Sequence, residues 1–194
     1  MHVRPVFTLA ALAMAVFSSP GFVRSAIAQQ GATDKPEMAS RGQRKAREIK
    51  YGDWQKVCFK TPGSNMVCRT RISGTWADTG QSAVRADLIE REGEAKARLQ
   101  LFLPVGLYLQ TPIKVAVDQG KDFSIPYVWC MTNTCIAGSI ADPQLISDME
   151  KGDKLRLEVV DSSVQSVSTT LPLGQFASVH KGAPAQVFQQ DIDE

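Results

Sequence analysis

The stretch K-A-R-L-Q-L-F-L, residues 96–103, carries the pattern that decides the fold of this protein. Apolar side chains stand at every second position from Ala97 to Leu103, and polar ones lie between them as far as Gln100. Successive side chains of a strand point to opposite faces, so the alternation predicts a strand with one buried and one wet face. The same alternation recurs over residues 66–72, 84–88, 113–118 and 155–159, with turn-forming residues between the segments. The sequence therefore predicts a mainly β protein, an antiparallel β-sandwich or barrel-like domain.

One short α-helix is predicted within this β pattern, over about residues 143–151. Asp142 can cap its first turn, Pro143 suits the first helical position, and Gly152 can end it. A second short turn is expected around residues 173–177. The helix would dock on the sheet through an apolar stripe and does not change the fold class.

The first 28 residues have the features of a secretory signal peptide. Arg4 precedes an uncharged apolar run from Val6 to Phe17, and Ala26-Ile27-Ala28 forms an A-x-A-like cleavage site. The run is well short of the roughly 20 apolar residues that span a bilayer, which argues against a membrane anchor. We therefore expect cleavage after Ala28 and export to the periplasm or cell envelope, with the cell surface or medium as further destinations.

Charge is spread unevenly along the rest of the chain. The 22 Lys+Arg of the whole sequence fall to 20 once Arg4 and Arg24 leave with the signal, against 20 Asp+Glu. Residues 29–50 are polar and basic and are predicted to be a flexible leader, and residues 41–50 are a candidate for peripheral membrane contact. From Tyr51 onward 14 basic residues face 17 acidic ones, in a single domain over 51–194 with a loose tail from about 182. This balance does not support a nucleic-acid binder.

Four cysteines predict two local disulfides. Three pairings of Cys58, Cys68, Cys130 and Cys135 are open in principle, and an exported chain with an even count favours bridges. We favour Cys58–Cys68 and Cys130–Cys135, because each pair brackets a short stretch rich in turn residues. A zinc site is the alternative, but the spacings C-x9-C and C-x4-C fit the usual C-x2-4-C pattern poorly. No metal site is expected.

No catalytic constellation emerges from the residues. Nucleophile-elbow, zinc-protease and nucleotide-binding motifs are absent, and four residues separate Cys130 from Cys135 where redox enzymes have two. Glu90 and Glu92 are predicted to lie in a solvated hairpin turn, and His180 in an exposed loop. No catalytic residue and no cofactor is therefore predicted.

Three side chains are candidates for binding a partner. Arg69 and Arg71 alternate with apolar positions and so share the wet face of a strand, and Trp76 lies in a turn where an exposed indole can anchor a partner. Core or edge packing is the alternative for Trp76. Trp54 is expected in the core, and Trp129 is expected to pack against the Cys130–Cys135 bridge.

The order of several short motifs resembles the invasion-associated locus B family of exported bacterial proteins. The motifs are Y-G-D-W at 51–54, the cysteines, L-P-V-G-L-Y-L at 103–109, W-C at 129–130, C-I-A at 135–137, L-I-S-D-M-E-K-G at 145–152 and L-P-L-G-Q-F at 171–176. Family members often have a Gly-Phe pair near the end, whereas Gln175 separates Gly174 from Phe176 here. The resemblance implies a small β-rich exported domain, linked by its family name to entry into host cells, and it brings no catalytic residues.

These observations favour a non-enzymatic envelope protein that binds a partner through loops on a rigid domain. The partner is an unknown protein, lipid or glycan in the envelope or on a host cell. A carboxylate-based envelope enzyme using Glu90, Glu92 and Asp118 is one alternative. A structural factor that maintains the envelope is the other.

Overall fold

The protein is mainly β, with strands in two sheets, as a computed structural model shows for residues 40–189. The predicted signal peptide, the leader as far as residue 39 and residues 190–194 lie outside this range. The strands are β1 (Gln43–Arg44), β2 (Ile49–Tyr51), β3 (Gln55–Lys60), β4 (Val67–Trp76), β5 (Ser82–Arg91), β6 (Arg98–Leu103), β7 (Ile113–Val117), β8 (Phe123–Ile125), β9 (Tyr127–Cys130), β10 (Cys135–Ile140), β11 (Lys154–Val160), β12 (Ser166–Pro172) and β13 (Gln186–Gln189). The helices are α1 (Pro143–Lys151) and α2 (Phe176–Lys181).

The two sheets share one hydrophobic core. The smaller sheet has the order β1-β12-β11-β7-β8, and the larger has the order β13-β3-β4-β5-β6-β10-β9, with β2 paired beside β3 on β4. Buried side chains from both sheets form a single cluster, because alternate residues of each strand point inward. Leu99 and Leu101 of β6 are buried in this cluster, so the stretch at 96–103 has the role that its alternation predicts.

Helix α1 has the predicted bounds. The Asp142 side chain accepts a hydrogen bond from the Gln144 N–H at 2.8 Å, Pro143 begins the helix, and Gly152 ends it. Leu145 and Met149 are buried against the sheets. The turn expected around residues 173–177 leads into α2, where Phe176 is fully buried and contacts Trp54 edge to face.

Both predicted disulfides are confirmed. Cys58–Cys68 joins directly paired residues of β3 and β4, and Cys130–Cys135 joins directly paired residues of β9 and β10. Each bridge closes a short loop, so on the chain-entropy model each stabilises the fold by about 2–3 kcal/mol. Trp54 is buried as predicted. The prediction for Trp129 is wrong, because 64% of it is exposed beside the second bridge.

The prediction of a flexible leader over residues 29–50 is wrong for its last part. Residues 41–51, here called the strap, pass from one sheet to the other: β1 is parallel to β12 in the smaller sheet, and β2 is antiparallel to β4 in the larger. Backbone bonds from Arg41 N to Val164 O and from Ala77 N to Glu48 O hold the two ends. Strands of two and three residues show no apolar period, so the sequence pattern did not reveal them.

The loose tail predicted from about residue 182 is also partly ordered. Residues of β13 pair in parallel with β3, and the Phe188 ring stacks on that of Phe59 at 5.2 Å. The four residues of β13 are all exposed, so this strand covers the edge of β3 and adds little to the core.

Candidate functional site

The outer face of the larger sheet carries a cluster of arginine side chains. In β4, Ile72 points into the core, so Arg69 and Arg71 point outward. Arg71 is paired with Asp87 of β5, and Arg85 lies two residues before Asp87 on the same face. The register of β4 and β5 therefore brings three guanidinium groups around one carboxylate.

Asp87 is the buried member of this cluster, with 1% of the residue exposed. Its Oδ1 lies 3.3 Å from Nε of Arg85, although neither carboxylate oxygen makes a hydrogen bond of good geometry to a described residue. Burial raises the pKa of Asp87, and the positive charges of Arg85, Arg69 and Arg71 oppose that rise. A single carboxylate can neutralise at most one of three guanidiniums, so the cluster keeps an excess of positive charge.

Two of the arginines lie over aromatic rings. The guanidinium carbon of Arg85 is 3.6 Å from the centre of the Phe102 ring, and that of Arg69 is 5.5 Å from the centre of the Phe59 ring. Such cation–π contacts restrict long side chains. Because part of their freedom is already lost, these arginines lose less entropy when they bind a ligand.

A cleft of about 550 Å³ continues the cluster towards the β3–β4 hairpin. Its lining combines apolar, hydroxyl, amide and guanidinium side chains, namely Phe59, Thr61, Ser64, Asn65, Val67, Arg69, Ile89 and Arg91. Arg98 of β6 is paired with Ile89 and so adds a further guanidinium to this face. Guanidinium, hydroxyl and amide groups are donors that bind carboxylate, phosphate or sulfate oxygens.

The structure brings together two of the three predicted partner-binding residues. Arg69 and Arg71 lie in the cluster, whereas Trp76 lies at the far end of β4, half-buried, with the Arg47 guanidinium 4.6 Å above its ring. Sequence reasoning missed Arg85 and Asp87 as members of the site. Their alternation with buried residues already placed both on a wet face, but only the register of β4 with β5 sets them beside Arg69 and Arg71.

His180 lies in α2 and is not the exposed loop residue that the sequence predicted. Its Nδ1 is 3.0 Å from Glu150 of α1, its Nε2 is 3.1 Å from Glu90 of β5, and 12% of its side chain is exposed. The hydrogen bond to Glu90 is the main cause that raises the pKa of His180, and burial opposes it. No pattern in the sequence signals this contact, because the three residues come from separate elements.

The other carboxylates considered for catalysis are engaged elsewhere. Glu92 lies near the backbone N–H of Met66, and Asp118 accepts hydrogen bonds from the N–H groups of Asp153 and Lys154 at 3.1 and 3.0 Å. Within residues 40–189, no group of three or more His, Cys, Asp or Glu side chains is placed to hold a metal ion. Over the same residues, no helix has the length and apolar character needed to cross a membrane.

Comparison with known proteins finds a matching family model and a solved structure of similar fold. A family model described as invasion associated locus B (IalB) protein matches residues 54–184. The crystal structure of invasion associated protein B from Bartonella henselae is similar with a TM-score of 0.60 and 19% sequence identity, over 68% of this chain and 90% of that chain. No curated protein gives a significant match. At this identity the solved structure supports the fold alone.

Proposed function

This chain belongs to the invasion associated locus B family, and we propose that it is a non-enzymatic binding module of the cell envelope. It binds an anionic partner through the outer face of the larger sheet. The residues of this surface, here called the arginine face, are Arg69, Arg71, Arg85, Arg91 and Arg98. Their clustering is the observation that carries the proposal.

The arginine face departs from the charge of the rest of the domain. From Tyr51 onward acidic residues outnumber basic ones by 17 to 14, yet five of the 14 share this one face. Among the residues of β4, β5 and β6 that point to this face, the acidic one is Asp87, and Asp87 is buried. Glu90 of β5 contacts His180 instead. Exposed Glu94, 3.4 Å from Arg91, lies at the edge. Such local concentration attracts negatively charged partners and orients their approach.

Guanidinium chemistry restricts the class of partner. Arginine binds carboxylate, phosphate and sulfate groups through two parallel N–H bonds, and neighbouring arginines suit a partner that carries several such groups. An acidic protein surface, an anionic lipid head group and an acidic glycan all meet this requirement. The partner lies in the envelope or on a host cell.

Family membership and the two disulfides are consistent with an exported protein. Export is tested by isolating the protein from envelope fractions and mapping its peptides without reduction. We expect a mature start at Gln29 and both bridges intact. A retained N-terminus or free thiols in the isolated protein would contradict export.

The binding proposal is tested with polyanions of three kinds: a sulfated polysaccharide, vesicles rich in anionic lipid, and an acidic peptide. Arg91 and Arg98 are exposed, so the double variant Arg91→Gln/Arg98→Gln should fold normally. The matched control is Arg156→Gln, which removes an arginine paired with Asp122 on the smaller sheet.

We expect at least one polyanion to bind with an affinity that falls as salt rises. Loss of one charge-assisted contact costs about 1.5 kcal/mol, so each lost arginine should weaken binding roughly tenfold. Arg156→Gln should bind as the unchanged protein does. Equal binding by the double variant and the control, or turnover of an envelope substrate by the purified protein, would refute the proposal.

A further inference from the structure

A second site lies between the two sheets, under the strap. A cavity of about 270 Å³ opens where residues 45–48 of the strap pass from the smaller to the larger sheet. Its other walls come from β4, β5, β6, the loop after β6, β11 and β12. No residue of the arginine face lines it, so the two sites are independent.

The walls of the cavity are mainly apolar. Ala83, Val84, Leu103 and Leu157 are buried side chains that form its inner part. Ile49, Trp76, Leu107, Val159 and Val167 form the outer part and are half-buried. Such a lining favours a hydrocarbon chain over a polar ligand, because apolar groups gain free energy when they leave water.

The mouth of the cavity is basic. Arg44, Lys45 and Arg47 of the strap line it together with Asp161. Arg44 Nε is 3.0 Å from Asp161, and Arg47 forms two short hydrogen bonds with Asp78, so these two cations are already paired. Lys45 is exposed and makes no ion pair with any residue in 40–189. One ammonium group is therefore left at the entrance of an apolar cavity.

We propose that this cavity binds a medium-chain fatty acid. The alkyl chain lies between the sheets, and the carboxylate pairs with Lys45 at the mouth. The one unpaired cation matches a ligand with a single negative charge, and the apolar walls match a single chain. The strap, held by the Arg44–Asp161 and Arg47–Asp78 ion pairs on either side of Lys45, covers the chain.

The volume sets the length of the chain. A cavity of about 150 Å³ accommodates one benzene ring, so about 270 Å³ should accommodate roughly ten to twelve carbon atoms. A membrane lipid with two long chains exceeds this volume. The proposal therefore commits to a free fatty acid and not to a bilayer lipid.

The test is a calorimetric titration of the purified protein with dodecanoate, below the concentration at which it forms micelles. We expect saturable binding of one dodecanoate per protein, weaker binding of octanoate, and a change in tryptophan emission that Trp76→Phe removes. Lys45→Glu should weaken dodecanoate binding by about tenfold or more, since it replaces an attractive charge with a repulsive one. Val167→Phe, which fills the cavity, should abolish binding.

Matched controls separate this site from others. Lys50→Glu makes the same change of charge at an exposed strap residue that does not line the cavity, and it should leave the affinity unchanged. Lys45→Glu also keeps the test decisive if Val167→Phe fails to fold, because Lys45 is exposed. Arg91→Gln/Arg98→Gln should bind dodecanoate normally, so this proposal and that of the arginine face fail separately.

Three results would overturn the proposal. The first is no saturable binding of dodecanoate at millimolar concentration. The second is equal affinity in the unchanged protein and in Lys45→Glu. The third is equally tight binding of dodecyl maltoside, whose chain has the same length and whose head group is uncharged.

Discussion

Replacing His180 with glutamine should remove a pH-dependent stabilisation that joins both helices to the larger sheet. The His180 ring lies between Glu90 of β5 and Glu150 of α1, and stacks on Phe176 with ring centres 5.3 Å apart. Lys181 also pairs with Glu150 at 2.7 Å, and Lys56 donates to the backbone carbonyl of His180 at 2.7 Å. These are the charged groups that face the ring from β3, β5, α1 and α2.

The size of the effect follows from the exposure of each pair. A hydrogen bond to a charged group contributes about 1.5–3 kcal/mol when buried, whereas an exposed ion pair contributes about 0–1 kcal/mol. Glu150 is 17% exposed, so its hydrogen bond to His180 should contribute about 1.5 kcal/mol, the lower end of the range for buried bonds. Glu90 is 38% exposed, so its contact with His180 should contribute about 0–1 kcal/mol, as an exposed ion pair does. We therefore expect His180→Gln to lower the free energy of unfolding by about 2 kcal/mol at pH 6.

The pKa shifts set the pH window. The contacts raise the pKa of His180 above its usual 6.5, so its stabilisation is complete below 6.5 and is lost as pH rises through the raised value. Hydrogen bonds lower the pKa of Glu90 and Glu150 below 4.5, so their stabilisation is complete above 4.5 and is lost as pH falls through the lowered values. The cluster should stabilise the fold fully between roughly pH 4.5 and 6.5.

Urea unfolding followed by tryptophan fluorescence at pH 6 and pH 9 tests this reasoning. The difference between the unchanged protein and His180→Gln should be about 2 kcal/mol at pH 6 and fall below about 1 kcal/mol at pH 9, where the ring is neutral. Lys181→Gln is the control, because it removes the other cation that pairs with Glu150 and leaves the His180 ring in place. A difference for His180→Gln that is the same at pH 6 and pH 9 would refute the assignment of a charged histidine.

Three further predictions concern stability. Replacing both Cys58 and Cys68 with alanine should lower the free energy of unfolding by about 2.7 kcal/mol, which is the loop-closure value for a separation of 10 residues. An unchanged midpoint of urea unfolding would contradict this prediction. Gly74→Ala should lower the free energy of unfolding by about 1–3 kcal/mol, because the added Cβ would lie 2.5 Å from Cγ2 of Ile49. Gly174→Ala is the control in the same urea assay and should lower it much less, because no atom lies within 4 Å of its added Cβ. Trp129→Ser should change the free energy of unfolding by less than about 0.5 kcal/mol, since 64% of Trp129 is exposed. A larger loss would show that the ring packs against the protein.

Patterns within single segments predicted much of the fold. Alternation revealed five of the thirteen strands in residues 40–189, namely β4, β5, β6, β7 and β11. A cap with proline and glycine revealed α1, and short cysteine spacings revealed both bridges. The strap and β13 were missed because backbone bonds at sheet edges hold them, and such bonds place no demand on side chains. Arg69 and Arg71 could be assigned to one face, whereas their grouping with Asp87 depends on strand register, which one strand alone does not encode.

The strap and β13 also affect the order in which the strand pairings form during folding. β1 pairs with β12 roughly 120 residues away, and β13 pairs with β3 at roughly 130, whereas the bridged cysteines are 10 and 5 residues apart. Loop closure costs more entropy as separation grows, so the bridged hairpins should form early and the two terminal pairings late. A growing chain that has not reached Ser166 has no partner for β1, and the edge of β3 stays open to other chains until Gln186 arrives.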